Sequence, residues 1–229
     1  MQAYNWQAEI TMTGERRSFQ RQSEDQRREA LITAALDLIA ARGPEAATVR
    51  AIAERAGVTP GLIRHYFASK QDLTRAAYRA LMDRMTEANT AVLDAAPKSP
   101  EARLAGFIAA SLRPPVMHPA ALRLWAGFIH RVRDDAAMRE VHETTYLNYR
   151  NILQGLITAL PGTRSLPQRR SLAIACNGVI DGLWLEGSAL PEVFGPDELA
   201  RIGVAAVGAI LQIDLMAHLP SPEDQRMTA

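Results

Sequence analysis

The sequence predicts an all-α protein, and three observations support that fold class. Apolar residues recur at intervals of three and four through most of the 229-residue chain, which is the spacing of one helix face. No segment alternates apolar and polar residues long enough to predict a strand. Prolines and glycines bound the periodic segments, and no repeat of fixed period joins them.

Composition limits the class of protein. Hydrophobic residues make up 48% and charged residues 22% of the chain, as in an ordinary globular protein. The formal net charge is +1, so a nucleic-acid surface must come from local clustering of basic residues. The single cysteine, Cys176, cannot form an internal disulfide, and its apolar neighbours favour an inert thiol. Because neither a signal peptide nor a membrane span is evident, we expect a cytoplasmic protein without membrane contact.

The N-terminal region predicts an arm followed by a helix. Residues 1–22 are polar and aperiodic, and we expect a flexible arm whose arginines either contact DNA or stay solvated. Ser23 and Gln26 have the spacing of a capping box, which predicts that the first helix begins there. Gly43 and Pro44 predict its end.

Two short helices joined by a turn follow. Thr48 is placed to cap a helix over 48–56, and Gly57 supplies the left-handed residue that ends it. Thr59 and Pro60 are a cap and a first-turn proline for a helix over 59–67. A helix-turn-helix needs a turn that tolerates positive φ and small or apolar residues where its helices cross, and this segment has both.

The remaining periodicity predicts further helices over 69–87, 101–112, 119–132, 136–159, 166–190 and 197–217. From these segments we expect a helix-turn-helix domain over 23–72, a larger helical domain over 73–218 and a disordered tail over 219–229.

The helix-turn-helix pattern predicts DNA binding. Its second helix can lie in a major groove with its N-terminal end towards the bases. We expect Arg64 to contact guanine or phosphate, Lys70 to contact the DNA backbone, and Phe67 to face the core. The predicted DNA contacts are Thr48, Arg50, Thr59, Pro60, Gly61, Arg64, His65, Tyr66 and Lys70. Between residues 42 and 80 there are seven basic and three acidic residues, a local net charge of +4 that supports this reading.

The stretch TVRAIAERAGVTPGLIRHYFASKQDL resembles the DNA-binding domain of the TetR family of bacterial transcriptional regulators. Thr48, the IAERAGV core, the His65-Tyr66-Phe67 triplet and Ser69-Lys70 with Leu73 carry the resemblance, which covers about residues 26–75. Many members have tyrosine where this chain has Arg64. The resemblance implies an all-helical homodimer with two half-site readers and a C-terminal domain for ligand binding and dimerisation.

The C-terminal half resembles the regulators of choline-to-betaine genes at Trp125-Ala-Gly-Phe128, at Tyr146–Arg150 and at Ile180–Leu185. Polar and aromatic residues share helix faces here, and they either pack in the core or line a ligand cavity. The predicted ligand contacts are Trp125, Phe128, His142, Tyr146, Asn177, Asp181 and Trp184. A buried Asp181 would need a partner, which a choline-like cation near Trp125 or Trp184 could supply.

The function predicted from these features is a ligand-responsive regulator that binds a palindromic double-stranded DNA operator as a homodimer. We expect a repressor that a small-molecule effector releases from the operator. The apolar faces of 166–190 and 197–217 either pack within one chain or form a four-helix dimer interface. We expect no cofactor and no metal, because the five histidines lack metal-ligand spacing. The alternatives are an all-α enzyme that uses His142 and Asp181, and an architectural protein that binds DNA without sequence preference.

Overall fold

The computed structural model describes residues 6–95, 99–162 and 164–219, with side chains from Glu24 onward except that of Ala95. Every regular element in this part of the chain is a helix, which confirms the all-α fold class. The chain divides into two compact units between Ala77 and Tyr78, whereas the sequence placed the division between residues 72 and 73. Of the predicted tail over 219–229, only Leu219 lies within the described residues.

The N-terminal unit contains α1 (Trp6–Arg42), α2 (Val49–Arg55) and α3 (Pro60–Tyr66). Residues 6–22 are helical, so the prediction that the first helix begins at Ser23 is wrong. The segment from Glu15 to Gln22 has no proline and is rich in arginine, glutamine and glutamate, which favour helix even without an apolar face. Residues 1–5 of the predicted arm lie outside the described residues.

The three helices of this unit share one apolar core. Leu31, Ile32 and Ala35 of α1 are buried, as are Ile52 of α2 and Ile63 of α3. α1 packs against α2, and α2 packs against α3. The core therefore holds the two short helices, which are too short to be stable alone.

The turn between α2 and α3 is a Schellman motif. The Gly57 N–H donates to the Glu54 carbonyl at 3.2 Å, and the Val58 N–H donates to the Ala53 carbonyl at 2.9 Å. Gly57 has a φ of +67°, which side chains with a Cβ seldom adopt. Ala53 is buried at the crossing with 1% of its surface exposed. The predicted left-handed glycine is thus the residue that turns the chain.

α4 (Lys70–Ala95) begins as the sequence predicts and runs further. The Asp72 N–H donates to the Ser69 hydroxyl at 3.1 Å, which caps the first turn. We predicted a helix over 69–87, but no glycine or proline interrupts the chain before Pro97, and the helix continues to Ala95.

The C-terminal unit begins within α4 and adds α5 (Pro100–Ser111), α6 (Pro119–Ile129), α7 (Ala136–Ala159), α8 (Leu166–Ala189) and α9 (Glu198–Leu211). Side-chain caps mark several starts: Ser99 precedes α5, Asp135 precedes α7, and Ser165 with Gln168 forms a capping box at α8. The predicted segment 119–132 ends in a 3₁₀ turn over His130–Val132. The predicted segment 197–217 ends as α-helix at Leu211, because Gln212 adopts a left-handed φ of 58°.

α5 is the central helix of this unit. Leu104, Phe107 and Ile108 are fully buried, and α5 contacts α7, α8 and α9. α8 also packs against α6, α7 and α9. Among the described residues, no helix is long and apolar enough to cross a membrane.

The turn geometry yields a stability prediction. Gly57→Ala should lower the free energy of unfolding by about 1 kcal/mol, because a Cβ strains the left-handed backbone although no atom lies within 4 Å of its position. Urea unfolding of the full chain measures the change. Gly61→Ala is the matched control, since Gly61 lies in α3 with its nearest neighbour, the Thr59 hydroxyl, 3.9 Å away. Equal effects of the two substitutions would contradict the role given to Gly57.

Candidate DNA-reading surface and effector cavity

The predicted DNA contacts lie on the surface of the N-terminal unit. Eight of the nine are exposed and Tyr66 is half-buried; the exposed ones are Thr48, Arg50, Thr59, Pro60, Gly61, Arg64, His65 and Lys70. The other face of α3 holds it in place, since Ile63 is 2% exposed and Phe67, just beyond the helix, is 5% exposed. Phe67 also lies beneath the Arg28 guanidinium, 5.1 Å from the ring centre, so it faces the core as predicted.

Hydroxyl groups at the two helix starts remain able to donate to phosphate. The Ala51 N–H donates to the Thr48 hydroxyl oxygen at 3.1 Å, which uses an acceptor position but not the Thr48 proton. The Thr59 side chain makes no capping hydrogen bond at α3. Tyr66 packs edge-on against His65, with ring centres 5.1 Å apart. Polar groups therefore lie at the starts of α2 and α3 and in the last turn of α3.

Two of the seven basic side chains counted over residues 42–80 are already paired with carboxylates. Arg55 forms an ion pair with Asp37, which lies outside that span, with N–O distances of 2.8 and 3.2 Å. Arg75 pairs with Asp72 at 3.0 Å. The prediction weighted all the basic side chains equally, whereas these two already have carboxylate partners within their own unit.

The C-terminal unit contains a cavity of about 370 Å³, within the range of small-molecule sites. Its walls come from α4 to α8 and the segment after α5. The lining residues are Met82, Met85, Thr86, Asn89, Ser111, Val116, Trp125, Ile129, His142, Tyr146, Tyr149, Ile180, Asp181, Gly182, Trp184 and Leu185. Apolar and aromatic groups dominate, with a few polar groups among them.

Five of the seven predicted ligand residues line this cavity: Trp125, His142, Tyr146, Asp181 and Trp184. The other two do not. Phe128 is 1% exposed and packs against Tyr78 with ring centres 5.1 Å apart, so it belongs to the core. Asn177 lies behind the wall and supports two lining residues, because its amide donates to the Tyr146 hydroxyl at 2.6 Å and to Asp181 Oδ2 at 2.7 Å.

Asp181 is a carboxylate at the rim of an apolar cavity. The residue is exposed on its outer side, while Oδ2 accepts from the Tyr146 hydroxyl at 2.8 Å and from the Asn177 amide. Burial raises the pKa of Asp181, and these two hydrogen bonds oppose the rise. No cationic side chain in the described part of the chain contributes to lowering it. Burial, together with Asp181, raises the pKa of Tyr146 to about 12.

His142 lines the cavity beside this group. Burial lowers its pKa, and the charge of Glu143 only partly opposes this. Burial also raises the pKa of Tyr78, whose hydroxyl shares a hydrogen bond of 2.7 Å with His142 Nδ1. The His142 ring stacks on Tyr146 with ring centres 5.1 Å apart. His142 and Asp181 thus have separate partners and do not form an acid–base pair.

The wall that α4 contributes to the cavity was not predicted from the sequence. Met82, Met85, Thr86 and Asn89 are spaced as one helix face, and all four line the cavity. Their signal was available, because Thr86 and Asn89 are polar residues on an otherwise apolar face. Both are buried, with 8% and 2% of their surfaces exposed.

The hydrogen bonds of Asp181 yield a second prediction. Tyr146→Phe should raise the pKa of Asp181 further, because it removes one of two donors that favour the carboxylate. Carbon-13 NMR of the aspartate carboxyl groups measures the titration. Tyr149→Phe is the control, since Tyr149 bonds to Ser111 instead, and it should leave the Asp181 pKa nearly unchanged. An unchanged titration in the Tyr146 variant would contradict the assigned hydrogen bond.

Comparison with known proteins places both units in one family. Residues 31–77 match the family model described as bacterial regulatory proteins, tetR family, and residues 100–212 match the BetI-type transcriptional repressor C-terminal model. The HTH-type transcriptional regulator BetI of Rhizobium meliloti strain 1021 is 29% identical over 88% of this chain and 93% of its own. The BetI regulator of Burkholderia lata is 31% identical over 71% of this chain and 82% of its own.

Solved structures agree. A transcriptional regulator from Pseudomonas aeruginosa PAO1 has a TM-score of 0.74 and 31% identity, covering 85% of this chain and 95% of its own. A regulator from Saccharomonospora viridis, solved in complex with choline, has a TM-score of 0.65 and 18% identity, covering 83% and 97%, and shows a likeness of fold. The enzyme alternative is therefore excluded. The chain belongs to the TetR family of bacterial transcriptional regulators and carries a BetI-type C-terminal domain.

Proposed function

We propose that this ligand-responsive regulator binds a pseudo-palindromic operator as a homodimer and is released when a small cation enters the C-terminal cavity. Asp181 is the basis for proposing a cationic effector. Its carboxylate lies at the edge of an apolar cavity and has no cationic partner among the described residues. That the protein is a DNA-binding regulator follows from its family. We infer that it acts in the cytoplasm, where its DNA operator lies.

The surface of α3 supports sequence-specific binding. Ile63 and Phe67 anchor the helix, which leaves Gly61 in its first turn and Arg64 and His65 in its last turn exposed to a DNA groove. Arg64 can form a bidentate pair with guanine, whereas Lys70 can contact phosphate at the start of α4. This division between base contact and phosphate contact favours a specific regulator over an architectural protein.

Charge and aromatic groups support a cationic effector. An ionised carboxylate in apolar surroundings is costly unless a positive charge compensates it. The rings of Trp125 and Trp184 meet edge to face with their centres 5.9 Å apart, and both residues line the cavity. A cation over either indole face gains about 1–2 kcal/mol. The choline bound by the regulator from Saccharomonospora viridis is a molecule of this class.

Exposed apolar faces support a dimer through α8 and α9. On α8 the exposed small and apolar residues are Ile174, Ala175, Gly178, Gly182 and Leu185, and on α9 they are Ile202, Ala205 and Ala209. A contiguous apolar stripe of this kind marks an interaction surface. Gly182 and Leu185 also line the cavity, so a partner on this stripe would cover part of the cavity rim. Effector binding and dimer geometry would then influence each other.

Release requires the effector to bind one conformation better than another. A cation that binds the DNA-competent and the released conformations equally shifts nothing. α4 begins with Lys70 and carries the cavity residues from Met82 to Asn89, so we propose that this helix transmits the change. We therefore propose that the protein represses transcription and that the effector releases it from the operator.

Substitutions in the reader separate base contact from phosphate contact. Arg64→Ala should weaken binding to the selected operator roughly tenfold or more and relax preference at one base pair, because a bidentate contact contributes about 1–3 kcal/mol. Lys70→Ala should weaken binding to all duplexes alike and reduce the salt dependence by about one phosphate contact. Fluorescence anisotropy at several salt concentrations measures both. If Lys70→Ala leaves the salt dependence of DNA binding unchanged, Lys70 does not contact a phosphate.

The cation hypothesis is tested with two molecules of the same shape. Choline should bind the wild type about tenfold more tightly than 3,3-dimethylbutan-1-ol, its uncharged carbon analogue, by calorimetric titration, because only choline compensates Asp181. Asp181→Asn should remove that preference, and Glu186→Gln, an exposed change on the same helix, should retain it. Equal affinity of the wild type for both molecules would overturn the cationic effector and leave the DNA-binding function intact.

A further inference from the structure

The exposed face of α8 is centred on Gly178, which also lies at the middle of the helix. The exposed residues within two turns on either side are small or apolar apart from one carboxylate: Ser171, Ile174, Ala175, Asp181, Gly182 and Leu185. Because an α-helix turns about 100° per residue, all of these positions lie within about 60° of the direction of Gly178. A second helix can therefore cross α8 at Gly178 and contact residues on both sides of the crossing.

Gly178 and Gly182 have open space where a Cβ would be. Within the described part of the chain, nothing beyond the backbone of their own helix lies within 4 Å of either position. Gly187 on the same helix differs, because a Cβ there would meet the side chains of Leu199 and Met117. Contacts within the chain thus account for Gly187, whereas Gly178 and Gly182 leave room for the close approach of another backbone.

The two ends of this face carry opposite charges. Arg170 lies about two turns before Gly178 and Glu186 about two turns after it, and both side chains are exposed. Two parallel copies of α8 would place Arg170 level with the partner's Arg170. Two antiparallel copies that cross at Gly178 place Arg170 level with Glu186 of the partner subunit, and these charges attract each other. The charges therefore favour an antiparallel pair of identical helices, which a twofold axis generates.

We propose that two copies of α8 cross antiparallel at Gly178 in the homodimer and that Ile174 of the partner subunit closes the cavity rim beside Gly182. This proposal rests on the homodimer of the proposed function and gives that homodimer a register. Ile174 and Gly182 are equally far from the crossing on opposite sides, so antiparallel copies bring one level with the other. Ile174 is 41% exposed in the single chain, and Gly182 lines the cavity. Each cavity is then completed by a side chain of the partner subunit.

The one charged group near the centre of the face is compatible with this crossing. Asp181 Oδ2 accepts from the Tyr146 hydroxyl at 2.8 Å and from the Asn177 amide at 2.7 Å, both in its own chain. In the antiparallel register, Ala175 of the partner subunit lies level with Asp181, so no acidic side chain opposes the carboxylate there. The contact at the rim is therefore made by small and apolar groups around a carboxylate that already has two donors.

Cysteine cross-linking of the full-length protein measures the register. Gly178→Cys should form an intersubunit disulfide under mild oxidation, because a residue at the crossing lies beside its own copy. The native Cys176 should not react, since it is fully buried. Ala175→Cys is the matched control: it is exposed and one turn away, and its two copies lie on opposite sides of the crossing, beyond the reach of a disulfide.

A double variant tests the rim contact without a new side chain at the crossing. Ile174→Cys combined with Gly182→Cys places two thiols about 12 Å apart along one helix, which is too far for a disulfide within one chain. The double variant should cross-link between subunits, whereas neither single variant should do so. Circular dichroism confirms that each variant is folded.

Three cross-linking results overturn the proposal. A disulfide formed by Ile174→Cys alone would mean that the copies are parallel. Equal cross-linking of Ala175→Cys and Gly178→Cys would move the crossing, and a double variant that does not cross-link would remove Ile174 from the rim. Equilibrium sedimentation separates these failures from that of the proposed function. A dimer that does not cross-link overturns only the register, whereas a wild type that sediments as a monomer overturns the homodimer as well.

A bulky side chain at the crossing gives a second readout. Gly178→Leu should weaken the dimer roughly tenfold or more, because the added atoms must fit between two closely packed helices. Gly155→Leu is the matched control, since Gly155 is an exposed glycine within α7 that also has open space at its Cβ position. The control should leave the dimer intact. Equal dissociation constants of the two variants, measured by sedimentation, would overturn the crossing at Gly178.

Discussion

The close crossing of α2 and α3 is the constraint on which the DNA-binding half of the molecule depends. Gly57 takes a backbone conformation that other residues adopt at a cost, and the Schellman hydrogen bonds close the end of α2 around it. Buried Ala53 and Ile63 then fix how the helices meet. Two helices of seven residues each would not persist in isolation, so their orientation is set by this turn and by the core that α1 completes.

An uncompensated carboxylate plays the corresponding role in the C-terminal unit. Apolar side chains alone would make a cavity that accepts any small apolar molecule. In the proposed function, Asp181, which accepts hydrogen bonds from Tyr146 and Asn177, adds a preference for positive charge. Specificity of this kind comes from leaving groups unsatisfied until the correct molecule arrives, which lowers the affinity for every other molecule.

Sequence patterns predicted the positions of the helices better than they predicted which side chains contact one another. Caps and prolines located α2, α3 and α7 closely, because those signals act within a few residues. The start of α1 was not predicted, because residues 15–22 favour a helix by composition without forming an apolar face. Periodicity places Phe128 and Asn177 on a helix face but does not say what that face meets, so neither the packing of Phe128 on Tyr78 nor the supporting position of Asn177 was predictable. The same limit hid the wall that α4 contributes to the cavity, because the residues facing α4 come from other helices.

In the proposed function, one molecule couples a cation site to a DNA site. Coupling is reciprocal, so the factor by which the cation weakens operator binding must equal the factor by which the operator weakens cation binding. Calorimetric titration of choline into the free protein and into its operator complex measures the second factor, and operator titration with and without choline measures the first. Choline should bind the operator complex more weakly than the free protein, by the same factor by which choline weakens operator binding. Equal choline affinity in both states would contradict it.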